Sequence, residues 1–424
     1  MSLQWEVFEL ANRLRVVVTP MPATQAASIS VFVGVGSRSE PKELNGITHF
    51  LEHMVFKGTE RRPDAHAIAE AIEGAGGTLN AYTNKEFTCY WNVVPFDHLD
   101  VALDVASDMV LHSKLDPDEI ERERAVVQQE LKRNHDHPQT WAARLVGMAV
   151  FGEQPVGWDV GGTLETVARV QREHFVEHID RWYRAPNAVL SVSGNVDPER
   201  VRRLAEELFA EMRDGTVPAV PPYDPTKTGP RVVLDERRTD QCSVYLGFPG
   251  LSRHDPDRFA LRVMNDILGS GMSSRLFREV RERRGLAYAV HSSYGLLADT
   301  GIFTIGAGVN RDRLVETVQV CLGELRRLCD EPVGAEELRK AKEHTIGRFR
   351  LSLETAHAVG QRHGELLLTR GEIEPVERVV EAIEAVTADD VQRVAQRLFD
   401  LRAVHCAVVG PELNEEELLA ALAA

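Results

Sequence analysis

The 424-residue chain has no apolar run approaching the ~20 residues that a membrane-spanning helix needs, so no membrane insertion is expected. It also has no excess of basic charge. The formal net charge is −16 and the pI lies near 5.5, the reverse of a nucleic-acid footprint, so no nucleic-acid partner is expected. Such a balance suits a soluble enzyme and weakly favours cationic peptides as ligands. Cysteine is scarce and unpatterned. Cys89, Cys242, Cys321, Cys329 and Cys406 are odd in number and show no C-x-x-C spacing. They read as free thiols of a reducing cytoplasm, with Cys321 and Cys329 two turns apart on one helix. The first ten residues, MSLQWEVFEL, lack a basic start and a long apolar core, and they are not an Arg/Ser-rich transit peptide. A cytoplasmic location is expected. Hydrophobic residues make up 43% of the chain, enough for substantial cores, and the length suggests two or three domains.

Against these absences stands one pattern, H-x-x-E-H, which the chain spells twice: His49-Phe50-Leu51-Glu52-His53 and His174-Phe175-Val176-Glu177-His178. Histidines at i and i+4 share one helical face and can reach a single metal ion. A glutamate beside the second histidine can serve as base toward water at that metal. The flanking residues separate the copies. In the second, Phe175, Val176, Ile179, Trp182 and Tyr183 form an apolar stripe opposite His174, Glu177, His178 and Arg181, an ordinary amphipathic helix with a wet face. In the first, Ile47, Phe50, Leu51, Met54, Val55 and Phe56 surround the helix, which is therefore expected to be buried. Its polar residues Thr48, His49, Glu52 and His53 would then need partners, and a metal is a natural one.

The stretch from Gly215 to Pro230 holds five prolines and reads as a linker over residues 215–230. The halves it separates, residues 1–214 and 231–424, follow one plan. A strand (Ser28–Val35; Ser243–Phe248) precedes a helix, which carries the metal pattern in the first half and spans Arg258–Leu268 in the second. Then come a second helix (Pro63–Glu73; Ser274–Arg283), an alternating hairpin (Leu79–Val94; Ala287–Gly306) and a long helix (His98–Leu111; Arg311–Cys329). Each half closes on a strand and a helix: Ala188–Gly194 with Pro198–Phe209, and Asp389–Phe399 with Ala403–Gly410. Where the first half has the metal pattern, the second has Arg-Val-Met-Asn-Asp-Ile (262–267). Duplication followed by loss of one metal site is the expectation, with each half an α+β domain of largely antiparallel sheet packed with helices.

A catalytic zinc site usually takes three protein ligands and leaves one position open. The helix that opens at Pro117-Asp-Glu offers Glu119, Glu121, Glu123 and Glu130. Glu119 and Glu121 read as solvated. Glu123 and Glu130, seven apart, share a face that Ala125, Val126, Val127 and Leu131 could bury, and spacing alone does not choose between them. The Gly-Ser-Gly-Met-Ser-Ser loop at 269–274 lacks the Gly-Lys-Ser/Thr ending of a phosphate loop. His135 and His137, beside Pro138, read as an exposed turn.

The motif with its downstream glutamates resembles the pitrilysin/insulysin-type inverzincin zinc metallopeptidases over nearly the whole chain. Within them it is most similar to the branch of mitochondrial processing peptidase and its short bacterial relatives. The resemblance implies one Zn²⁺ per chain on His49, His53 and Glu130, with Glu123 supporting a ligand and Glu52 as general base. A second stretch, Leu268–Phe277 followed by Arg281-Glu-Arg-Arg-Gly-Leu-Ala-Tyr288, is similar to the family's C-terminal signature. It implies that Arg281 and Tyr288 bind the substrate main chain and that Tyr288 steadies the oxyanion. The hairpin Gly76–Trp91 would present Asn80, Ala81 and Tyr82 on an edge strand where an extended peptide can pair. The function implied is a zinc endopeptidase acting on peptides or unfolded segments in a closed chamber. A homodimer is the simplest assembly, and a heterodimer with a related subunit is the alternative. The rival function is a non-catalytic or partner-dependent peptide-binding subunit, whose mark would be degraded ligands; here they are intact. A third reading, a zinc hydrolase acting on something other than peptides, is opposed only by the resemblance and the edge strand.

Overall fold

A computed structural model describes residues 3–423. They form two compact α+β units, each built on a mixed, mainly antiparallel sheet. The first sheet contains β1 (Glu6–Glu9), β2 (Arg15–Pro20), β3 (Ala26–Val33), β4 (Thr78–Thr83), β5 (Thr88–Pro95) and β6 (Ala188–Gly194), in the order β1-β2-β6-β3-β5-β4. The second contains β7 (Val232–Glu236), β8 (Cys242–Pro249), β9 (Ala287–Leu296), β10 (Gly301–Val309) and β11 (His405–Gly410), in the order β7-β11-β8-β10-β9. Setting β1 aside, the two orders are the same. Each sheet has one parallel pair, β2 with β6 and β7 with β11, while its other pairs are antiparallel. The expected internal repeat is thus realised strand for strand.

The repeat also corrects one pairing of elements. The helix Ala388–Leu398 precedes β11 as the helix Arg172–Trp182 precedes β6, and a further helix, Glu415–Ala423, follows β11 as Pro198–Leu208 follows β6. The expected helix over 274–283 forms only as a wide helical stretch, Phe277–Arg283, with i→i+5 character. No regular element occurs from Phe209 to Arg231, where the prolines cluster.

The units are not contiguous stretches of chain. The first comprises the described residues up to Leu131, then Trp158–Pro221 and Arg350–Val376; the second comprises Lys132–Gly157, Pro222–Phe349 and the residues from Glu377 on. The core of the first lies between its sheet and the helices Ile47–Val55, Ala65–Glu73 and Leu99–His112. Its other sheet face is covered by the helix Ala356–Arg370, which lies far along the chain. That seam is studded with hydroxyls. Ser191 and Ser193 donate to the carbonyls of Gly360 and Ala356, at 2.8 and 2.7 Å. Thr19 pairs with His363, Ser28 with His357, and the Gln361 amide donates to Ser30. In the second unit the helix Pro138–Phe151 covers β8 and β11, and this seam is apolar, built from Val146, Val150, Phe151 and Ala407. All five cysteines are free, and Cys321 and Cys329 share the helix Leu314–Asp330. Among the described residues no helix is long and apolar enough to cross a membrane.

Candidate metal centre

The first H-x-x-E-H stretch forms the helix Ile47–Val55, whose Ile47, Phe50, Leu51, Met54 and Val55 are buried. The chain enters this helix at Gly46 with φ +96°, and a Cβ there would lie 2.4 Å from the Gly161 carbonyl oxygen, so glycine is required on both counts. Gly46 supplies no side-chain cap. The buried Glu40 carboxylate does the work from six residues upstream, accepting from the N–H groups of Gly46 and Thr48 (2.7 and 2.8 Å) and from the Asn45 amide at 2.8 Å. Burial pushes the Glu40 carboxyl up to about 7, although hydrogen bonds from the Thr48 side chain, the Gly46 and Thr48 N–H groups and the Asn45 amide favour its charged form.

His49 and His53 stack on one face of the helix with ring centroids 4.7 Å apart. Across from them runs the helix Pro117–Asp136. Its Glu130 carboxylate reaches within 3.8 Å of His49 Nε2 and 3.6 Å of His53 Nε2. Ligand atoms of His49, His53 and Glu130 all lie within 4.8 Å of one another, and among the described residues this is the sole such group of three His, Cys, Asp or Glu side chains. A tetrahedral ion with bonds of about 2.0–2.2 Å requires ligand atoms roughly 3.3–3.5 Å apart. The Glu130 distances of 3.8 and 3.6 Å are close to this, and the 4.8 Å bound on the whole group leaves a shift of about an ångström for the three side chains to close on a divalent ion. They are half-buried, so the cluster is reachable from solvent.

Glu123 takes a different place from Glu130. One of its oxygens accepts from His53 Nδ1 at 2.8 Å, and the other binds Lys57 Nζ at 2.6 Å. With Nδ1 engaged, His53 presents Nε2 to Glu130 and to a metal, the arrangement by which outer carboxylates orient metal-binding imidazoles. Burial works against a charged His53, but the Glu123 hydrogen bond and the surrounding carboxylates outweigh it and raise its pKa above the ordinary histidine value. Glu52 lies on the same helix, 9% exposed. Burial raises its pKa above the ordinary carboxylate value, opposed by a hydrogen bond donated from Thr83 Oγ1 at 2.6 Å. Of these supporting groups, Glu40, Lys57 and Thr83 escape sequence reasoning. Nothing in their spacing marks them, although Lys57 lies only four residues past His53.

The second H-x-x-E-H copy forms the helix Arg172–Trp182, but its wet face is not as the pattern suggests. His178 is buried, while Val176, placed in the apolar stripe, is exposed. The helix is flanked by the first motif helix as well as by the core: Phe175 meets Phe50 edge to face at 5.0 Å, and His178 Nε2 pairs with Thr48 Oγ1 at 3.2 Å. Burial, helped by Arg181, drives the His178 pKa down to about 3, so the ring is neutral. His174 instead accepts from the Gln171 N–H at the start of the helix.

The remaining candidate residues are also located. Asn80, Ala81 and Tyr82 lie on β4, the terminal strand of the first sheet. Asn80 is exposed, Ala81 is half-buried, and the Tyr82 phenol turns to the other sheet face and donates to Gln361 at 2.8 Å. In the second unit the Arg281 guanidinium lies 4.8 Å over the ring of Tyr288, itself 76% exposed. His137 lies in an exposed bend, as expected, and caps the helix Pro138–Phe151 by accepting from the Thr140 N–H, whereas His135 is exposed in the last turn of the helix Pro117–Asp136.

Comparison with known proteins agrees with this geometry. Residues 15–164 match the family model described as insulinase (peptidase family M16), and residues 169–344 match the model described as the peptidase M16 inactive domain. An uncharacterized zinc protease of Streptomyces coelicolor is 36% identical over 408 residues, covering 95% of this chain and 88% of the relative. One from Bacillus subtilis is 35% identical over 393 residues, covering 92% and 94%. The chain therefore belongs to peptidase family M16, a family of zinc metallopeptidases. Among solved structures, a protease from Helicobacter pylori superposes with a TM-score of 0.89 at 23% identity, covering 97% of this chain and 100% of that one, a likeness of fold.

Proposed function

We propose that the chain is a zinc endopeptidase that binds one zinc ion through His49, His53 and Glu130 and hydrolyses peptides or unfolded segments. The observation that carries this reading is the convergence of those three ligand atoms beside a buried carboxylate, Glu52, on the same helix as both histidines. Zinc in such a site supplies Lewis acidity, making water nucleophilic near neutral pH and polarising a carbonyl. Glu52 then takes the proton of the attacking water and returns it to the leaving amine, a task suited by a pKa held above the carboxylate norm. Glu123 and Lys57 keep His53 in the tautomer that offers Nε2.

The free edge of β4 suits a peptide added as a strand, with Asn80, Ala81 and Tyr82 supplying main-chain partners, so that many sequences can be bound. We assign Arg281 and Tyr288 to recognition of the peptide main chain, with the Tyr288 phenol as a donor to developing negative charge. The assembly we propose is a homodimer enclosing a chamber, in the manner of the short, processing-peptidase-like branch. Its support is that two bacterial relatives are matched over 88% and 94% of their own length, so they too are short chains that would need a second copy to enclose a chamber.

Glu52→Gln tests the chemistry. The variant is expected to retain one zinc per chain and to lose about 10²- to 10⁴-fold in kcat on a quenched fluorescent peptide. Cleavage near the wild-type rate would remove Glu52 from the reaction. In the wild-type chain, a chelator is expected to abolish cleavage and added zinc to restore it.

A further inference from the structure

Thr83 ends β4, the strand proposed to pair with a bound peptide, and its hydroxyl donates to Glu52 Oε2 at 2.6 Å. Alternation along β4 explains how it gets there. Leu79 and Ala81 pack against the core that contains the motif helix, while the Tyr82 phenol faces the opposite side of the sheet, so Thr83 shares the face of Leu79 and Ala81. The Thr83 hydroxyl is itself bracketed. Thr88 on β5 lies opposite it in register, with hydroxyl oxygens 3.4 Å apart, and Thr88 in turn donates to the Val35 carbonyl at 3.0 Å. The Glu52 carboxylate hangs on three rotatable bonds in a largely buried space. A fixed donor to one oxygen removes much of its freedom and leaves the other oxygen to handle a proton.

We propose that Thr83 is a positioning residue for Glu52, tying the orientation of the base to the strand on which the peptide pairs. A peptide adding to the free edge of β4 pairs with the same strand that carries Thr83, and through that one hydroxyl the strand also holds the carboxylate. Substrate and base are then aligned to one strand. The inference rests on the assignment of Glu52 as base.

The test compares Thr83→Val, which keeps the shape and removes the hydroxyl, with Thr83→Ser, which restores it, and with Glu52→Gln. Each purified chain is assayed for zinc stoichiometry, for kcat and KM on a quenched peptide, and for affinity toward the same peptide with a reduced, uncleavable amide. Thr83→Val is expected to lose about 10- to 100-fold in kcat, with KM, peptide affinity and zinc content within about twofold of wild type. Thr83→Ser should recover to within about threefold. A wild-type kcat in Thr83→Val would overturn the proposal. So would equal impairment of the Ser and Val variants, a loss expressed wholly in KM and peptide affinity, or a loss of zinc. If Glu52→Gln itself turned over normally, the base assignment would fall first; an inactive Glu52→Gln beside an unimpaired Thr83→Val would remove the role of Thr83 alone.

Discussion

At position 178 a histidine is held neutral between two helices, its Nε2 paired with the Thr48 hydroxyl. Its folded pKa of about 3 lies far below the value of about 6.5 expected in an unfolded chain. Between those limits the unfolded chain binds a proton that the folded chain refuses. Stability from this site is therefore full above about pH 6.5 and lost as pH falls toward 3, by roughly 1.4 kcal/mol per pH unit at most. Urea unfolding of wild type and His178→Gln at several pH values should show the gap between them narrowing as pH falls from about 6.5 to 4. A constant gap would mean that the ring charges freely in the folded state. The same residue shows why five matching letters do not make a metal site. A histidine becomes a ligand when its nitrogen faces other donors, and that is decided by what packs over it.

The motif helix depends on a carboxylate outside it. A nine-residue helix is short for autonomous stability, and its first N–H groups need acceptors that Gly46 cannot supply. Glu40 supplies them from a buried position. Glu40→Ala is expected to cost about 2–4 kcal/mol, since it strands buried donors, and to speed loss of zinc to a chelator. A change below about 1 kcal/mol in denaturant unfolding would show that water replaces the carboxylate. At this scale the sequence was informative where periodicity is strong. The apolar wrapping of Ile47–Val55, the hairpins and the strands β3, β6, β8 and β11 follow from alternation and apolar runs. Glu40, Lys57 and Thr83 were hidden because each acts through a tertiary contact that no local pattern encodes. The helices Pro138–Phe151 and Ala356–Arg370 were missed for a related reason. The strands they cover alternate serine with apolar residues in the first unit and carry glycine in the second, so neither announces a second buried face.

For the whole molecule, the decisive feature is that each unit borrows a helix from a distant stretch of chain. Residues 1–230 carry all of the first sheet but not the helix that covers its second face. Expressed alone, they are expected to lack a cooperative thermal transition and to bind a hydrophobic dye. Appending residues 350–376 through a flexible linker should restore cooperative melting. A sharp transition in the short fragment would show that this helix is dispensable. The borrowed helices also impose an order on synthesis. After β6 is made, about 160 residues must still be added before the helix Ala356–Arg370 begins, on the order of ten to thirty seconds of translation. During that interval the nascent sheet has one uncovered face, which bears Thr19, Ser28, Ser30, Ser191 and Ser193, groups that water can satisfy, beside the apolar Val17, Phe32, Phe87 and Val189. The sheet of the second unit faces no such delay, because Val146, Val150 and Phe151 have already left the ribosome when its strands emerge. The hydroxyls of the first seam keep part of that face wettable while its apolar patch waits for the helix.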